Sequence, residues 1–301
     1  MPTVTIPTSP NAPFAKALAS LKAPWRERNG RFSALKLVVF IALFAPAAWI
    51  IVQWASDWLA PKPVTEAIHQ TGQWAIRLIL ISLLITPLRR IAQWNKLIAV
   101  RRMIGIAAAA YAVAHLSLYI VDQKFNLPHV ASEIALRFYL TIGFVALLGL
   151  IALSVTSTDA MIKRLGGVNW NRLHKLIYLI AALGIFHFYL QSKADVSEAV
   201  LMMGLYFILM LHRLAQKRGL SSWASTLVAA LGAPILTALL EGAWYAIVRH
   251  LDFWDIVNAN FDVSDDIRPA VYVLGAGVVF MLVHAARAWR PSFALRLAGA
   301  K

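Results

Sequence analysis

Long apolar runs separated by short polar stretches set the pattern of this chain. The clearest are Leu37 to Ser56, Met103 to Val121 (interrupted only by His115 and Ser117) and Phe138 to Ser157, each about 20 residues. At 1.5 Å per residue, each makes a helix able to cross a hydrocarbon core of roughly 30 Å. Thr71 to Leu88 (with Arg77), Leu173 to Gln191, Val196 to His212, Trp223 to Val248 (with Glu241) and Pro269 to Ala286 bring the number of expected spans to eight, the sixth being the shortest. The pattern therefore predicts an all-α integral membrane protein, a helical bundle of about eight transmembrane helices surrounded by membrane lipid.

Charge orients these spans. If the N-terminus is cytoplasmic and the loops alternate, the inner segments hold 22 Lys and Arg and the outer loops 6, while acidic residues number 2 inside and 11 outside. This asymmetry predicts that both termini are cytoplasmic. The net charge of +15 in a chain that is 60% apolar and only 14% charged then comes from juxtamembrane loops, so no nucleic-acid partner is expected. Residues 1–36 are polar and basic, and the first apolar run starts too late for a cleavable signal peptide, so they read as a retained, flexible cytoplasmic tail.

The absence of cysteine excludes disulfides, thiolate zinc sites, iron–sulfur clusters and covalent c-type haem. Any metal must be held by His, carboxylate, Met or Tyr. Ionisable residues inside a membrane are costly, which directs attention to the intramembrane histidines. His115 is the thirteenth residue of the third span, roughly 18 Å above its cytoplasmic start. His187 lies 13 residues beyond His174, which sits at the cytoplasmic mouth of the fifth span, and so stands roughly 20 Å above that end. Two neutral imidazoles at one depth on two helices suit haem b, which takes a nitrogen on each face of its iron. On an ideal wheel His174 and His187 are about 140° apart, so they ligate from different sides unless the helix is distorted, for example near Gly184. His69, His129 and His250 fall in outer loops, His284 ends the eighth span, and His212 beside Arg213 reads as a juxtamembrane residue.

Several segments carry a resemblance. Thr86-Pro87-Leu88, Arg101-Arg102-Met103-Ile104-Gly105, His115-Leu116-Ser117-Leu118-Tyr119, Thr156-Ser157-Thr158 and Trp170-Asn171-Arg172-Leu173-His174-Lys175-Leu176-Ile177-Tyr178-Leu179 resemble the MsrQ (YedZ) family, within the ferric-reductase-like transmembrane group. The likeness covers roughly residues 36–218. It implies a six-helix ferric-reductase-like core over 37–218 and two additional C-terminal helices over 219–301, with an acidic outer loop from Asp252 to Asp266. It further implies haem b, an associated FMN, and electrons drawn from the quinone pool or a cytoplasmic flavin reductase. Those electrons would pass across the bacterial inner membrane to a periplasmic molybdenum-containing MsrP-like (molybdopterin) subunit that reduces methionine sulfoxide.

Wider ferric reductases carry four histidines for two stacked haems; the fourth position here, 14 residues before His115, is Arg101. An arginine offers iron no lone pair. The resemblance thus implies an outer haem on His115 and His187, and leaves open a second, inner haem on His174 with Arg101 near its iron or propionates.

On this reading the chain is an electron-transfer subunit rather than a catalytic one, since no acid, base or nucleophile constellation is visible. A complete ferric reductase would need FAD and NADPH domains, and only 15 residues follow Ala286. Gly275-Ala276-Gly277 reads as helix packing. The alternative is a cofactor-free membrane transporter with Arg77 and Glu241 as its polar pathway, although Arg77 could simply snorkel.

Overall fold

The computed structural model describes residues 23–27, 30–192, 195–264 and 266–298, with backbone alone from 287 onward. Most of the expected N-terminal tail lies outside the described residues. The chain divides into two compact units, 1–48 and 49–301. In the first, an antiparallel bridge joins Arg26 to Phe32, and the Ser33 side chain caps helix α1 (Ala34–Ala42). Lys36 donates to the Arg26 carbonyl at 2.9 Å, and Trp25 packs edge-on against Phe40. Helix α2 (Ala45–Ala55) follows after a two-residue turn.

The second unit continues with α3 (Pro63–Ile91), α4 (Ile98–Asp122), α5 (Leu127–Leu136), α6 (Phe138–Val155), α7 (Asp159–Leu165) and α8 (Gly167–His174). After these come α9 (Leu176–Gln191), α10 (Ser197–Lys217), α11 (Ser222–Arg249), α12 (Phe253–Ala259) and α13 (Pro269–Ala298). Among the described residues seven helical segments are long and apolar enough to cross a membrane. The eighth expected span belongs to α3, whose 29 residues reach roughly 43 Å. Helix α3 is less uniformly apolar because it is wrapped by α4, α9, α10 and α13 rather than by lipid. Its Leu83 is fully buried.

Local chemistry sets the boundaries. Pro63 opens α3 at a position where a missing N–H costs nothing. Asn126, Thr158, Ser221 and Asp252 accept bonds from free amides at the starts of α5, α7, α11 and α12. The outer loop holding His129 contains a ten-residue helix, α5, separated from α4 by Lys124 and Phe125 at positive φ. The fifth expected span is two helices that part at Lys175, between His174 and Leu176. The distortion therefore falls at Lys175 and not at Gly184, and a continuous helical wheel does not relate His174 to His187.

Pro87 and Pro234, inside α3 and α11, each free a carbonyl one turn back. Pro87 leaves the Leu83 carbonyl without its helical amide, and the Arg213 guanidinium of α10 donates to that oxygen while also bonding the Leu209 carbonyl at 2.8 Å. Pro234 does the same for Ala230 in α11, and Gly277 of α13 packs against that residue. Helices α10, α11 and α13 come together closely because Gly204 leaves room for Val273 and Thr237. A Cβ on Gly277 would stand 2.8 Å from the Ala230 Cα.

Gly277→Val is therefore expected to separate α13 from α11 and lower stability by about 1–3 kcal/mol, read as a fall in the thermal midpoint in detergent. Gly275, whose added Cβ would meet nothing within 4 Å, is the tolerant control. Equal midpoints for the two variants would show that the close approach is not made.

Candidate cofactor site: two histidines in glycine niches

His115 projects from α4 toward α3, where its Nδ1 donates to the Ile68 carbonyl at 2.8 Å. His187 projects from α9 toward α6, and its Nδ1 donates to the Tyr139 carbonyl, also at 2.8 Å. Because a carbonyl oxygen only accepts, the proton sits on Nδ1 in both rings and each Nε2 keeps its lone pair. Among the described residues neither Nε2 has a hydrogen-bond partner.

Both rings fit only because glycine stands opposite. A Cβ on Gly72, one turn after Ile68, would lie 2.9 Å from the His115 Nδ1. A Cβ on Gly143, one turn after Tyr139, would lie 2.8 Å from the His187 Nδ1. The same local device, a helical carbonyl followed four residues later by glycine, thus seats two histidines on two different helix pairs. It fixes tautomer and ring direction, as an outer shell of hydrogen bonds does for metal-bound histidine.

The structure brings the two rings to a centroid separation of 6.3 Å with planes 81° apart. A metal–imidazole bond of roughly 2 Å on each side, plus about 1 Å from each nitrogen to its ring centre, places two rings sharing one metal roughly 6 Å apart. The observed separation therefore suits one metal ion held by both Nε2 atoms. Among the described residues no group of three or more His, Cys, Asp or Glu could hold a metal.

His174 and Arg101 lie toward the opposite, basic end. His174 ends α8, with its ring stacked on Trp170 at 3.8 Å. Its Nδ1 bonds the Trp170 carbonyl at 3.0 Å and its Nε2 faces the Ser157 hydroxyl at 3.2 Å, so both nitrogens are engaged. Trp170 donates to the Thr156 carbonyl at 2.9 Å, which joins two of the sequence motifs. Arg101 stands close enough to His174 and Arg213 for its charge to act on both. Neighbouring Arg102 pairs with Asp159 at 2.7 Å.

The other intramembrane charges have separate partners. Arg77 does not snorkel but pairs with Glu198, which also accepts from Gln73 at 2.7 Å. Glu241, 1% exposed, accepts from Asn260 at 2.7 Å and from Arg268 at 3.2 Å. His212, expected beside the membrane, is fully buried against Phe280. Gly72 and Gly143 were not legible as site residues: nothing in the sequence distinguishes them from the other glycines.

A bundle of membrane-length helices that brings together one histidine from each of two helices is that of a ferric-reductase-like transmembrane protein. The family described as "Ferric reductase like transmembrane component" matches residues 71–185. The chain is 36% identical over 189 residues to the "Protein-methionine-sulfoxide reductase heme-binding subunit MsrQ" of Caulobacter vibrioides, covering 62% of this chain and 90% of that protein. The same-named protein of Xanthomonas campestris pv. campestris (strain 8004) is 42% identical over 184 residues, covering 59% and 84%. That of Herminiimonas arsenicoxydans is 36% identical over 186 residues, covering 61% and 85%. The chain belongs to the MsrQ family and is a multi-pass membrane protein. No solved structure matches it.

Alanine at Gly72 or Gly143 is expected to displace the facing imidazole and lower the iron-to-protein ratio of the purified protein by roughly tenfold or more. Gly184→Ala, whose Cβ would meet only Ile76 at 3.9 Å, should keep the wild-type ratio. Full iron content in both niche variants would rule out the niches as ligand supports.

Proposed function

We propose that this chain is a b-type cytochrome in which His115 and His187 hold one haem through their Nε2 atoms. It carries electrons from the basic, cytoplasmic side of the bacterial inner membrane to a periplasmic MsrP-like molybdopterin subunit, in support of methionine sulfoxide reduction. The observation that carries this reading is the paired geometry: two Nδ1-anchored rings 6.3 Å apart with both lone pairs free. The haem supplies one-electron chemistry. The protein orients the ligands, sets their basicity through the Ile68 and Tyr139 carbonyls, and limits water access by packing α3, α4, α6 and α9 around them. The chain is an electron-transfer subunit rather than the catalytic one.

Electrons enter at the basic end, from the quinone pool or a cytoplasmic flavin reductase. FMN belongs to the same reading, with no residue assigned to it. A second haem on His174 would displace the Ser157 hydroxyl from that ring's Nε2 while keeping the Nδ1 bond to the Trp170 carbonyl; the unpartnered Nε2 pair of His115 and His187 carries the single-haem reading, with His174 and Arg101 as supporting groups. A cofactor-free transporter is disfavoured because Arg77 and Glu241 sit in two separate closed clusters.

Dithionite-reduced minus oxidised spectra of purified protein test the ligands. His115→Ala and His187→Ala should each abolish the same low-spin haem signal, since alanine offers iron no nitrogen. His129→Ala should preserve it, and His174→Ala should leave the haem-to-protein ratio unchanged. A colourless, folded wild-type preparation would sink the cytochrome reading, and loss of a separately titrating haem in His174→Ala would establish a second one.

The outer loop from Asp252 to Asp266 adds negative charge where electrons leave; the Ser264 amide donating to Asp262 holds that carboxyl below the usual range. Transfer to a basic partner should therefore slow as ionic strength rises. Charge reversal in the loop should remove much of that salt dependence, and unchanged low-salt transfer would exclude the loop from docking.

A further inference from the structure

The basic ends of α3 and α10 hold polar atoms that the redox reading does not use. Arg90 of α3 donates to Gln216 of α10 at 3.3 Å near the surface. One turn deeper on each helix, at i−4, stand Thr86 and His212. The Thr86 hydroxyl and both ring nitrogens of His212 are buried and have no hydrogen-bond partner, and His212 is 0% exposed. The Ser225 backbone approaches the ring without hydrogen-bond geometry. Buried polar atoms left unpaired are costly, and a native protein seldom keeps three on two facing helix turns unless a bound species answers them.

The surrounding charge indicates which species. Arg90 and Arg213 are close enough for their charges to act on His212. Arg213 bonds the Leu83 and Leu209 carbonyls and lies over the Tyr178 ring at 5.5 Å, and Arg90 bonds Gln216, so neither has a carboxylate partner among the described residues. Around the wheel of α10, Gln216 lies between His212, whose ring meets Phe280 of α13, and Arg213, which reaches the Leu83 carbonyl of α3. An uncharged ligand would leave the two guanidiniums without a counter-charge, whereas an oxyanion accepts from the hydroxyl, the imidazole and Arg90 together.

We propose that the level of Thr86 and His212, between α3 and α10, binds a phosphate group, with Arg90 closing the site at its aqueous end and Arg213 supplying the second positive charge. At this depth the phosphate comes either from an anionic lipid headgroup or from a small soluble phosphate. The proposal does not depend on the haem assignment.

The test compares full-length protein in nanodiscs of phosphatidylcholine alone, in discs also containing phosphatidylglycerol, and in phosphatidylcholine discs titrated with inorganic phosphate against chloride at equal ionic strength. Saturating ligand is expected to raise the thermal midpoint by about 5 °C. A shift in the phosphatidylglycerol discs alone identifies the lipid headgroup, and a shift with inorganic phosphate identifies the soluble source. Thr86→Val, His212→Gln and Arg90→Gln should each abolish the shift; Arg90 lies at the surface, so its variant reports even where a buried substitution fails to fold. Haem content, read in parallel, should stay at the wild-type value in Arg90→Gln. No shift in either arm, or a wild-type shift in Thr86→Val and Arg90→Gln, overturns the proposal and leaves water as the species that satisfies these atoms.

Discussion

Inside a bilayer no water is available to satisfy a polar atom, and this constraint organises the molecule. A polar group placed at depth must find its partner within the protein or in a bound species. The commonest partner here is a backbone carbonyl. Ile68 and Tyr139 hold the two central histidines, Trp170 holds His174, and the oxygen freed by Pro87 receives Arg213. Tyr206 likewise donates to the Tyr178 carbonyl at 3.0 Å. Apart from the bond between His174 and Trp170, which stays within α8, each of these joins two helices, so satisfying the side chain also fixes how the helices sit against each other.

This double role explains why the candidate cofactor site and the fold are difficult to separate. The bond from His115 to Ile68 joins α4 to α3, and the bond from His187 to Tyr139 joins α9 to α6. The rings are held from behind, which leaves their Nε2 atoms facing the interior with direction already set. Preorganisation of this kind limits how much a ligand must rearrange when iron changes charge, and the carbonyl behind each ring raises its basicity.

The two C-terminal helices obey the same constraint with different means. Glu241, Asn260 and Arg268 satisfy one another at the acidic end of α11 and α13, while Gly204 and Gly277 allow close backbone contact with α10 and α11. These helices pack on α10 and on α3, so their presence adds an acidic outer loop without leaving an open seam in the apolar core. The relatives match about three-fifths of the chain, and the family model covers residues 71–185, which lie before these two helices.

Sequence alone determined the membrane class and the helix count to within the ambiguity of α3, and it singled out His115 and His187, whose rings the structure brings together. Those properties depend on local composition and on depth along a helix, which the 1.5 Å rise converts directly from residue number. Tertiary structure decided the rest. Gly72 and Gly143 matter because they lack atoms, and a missing Cβ has meaning only once a histidine from another helix occupies its space. The helix is interrupted at Lys175, so one continuous wheel no longer relates His174 to His187. Arg77 and Glu241, similar in sequence as charges in apolar runs, became two unrelated ion pairs because their partners, Glu198 and Arg268, lie 121 and 27 residues away. Contacts at such separations are set by which helix faces meet, and the apolar pattern of a membrane helix, hydrophobic on every side, carries little record of that.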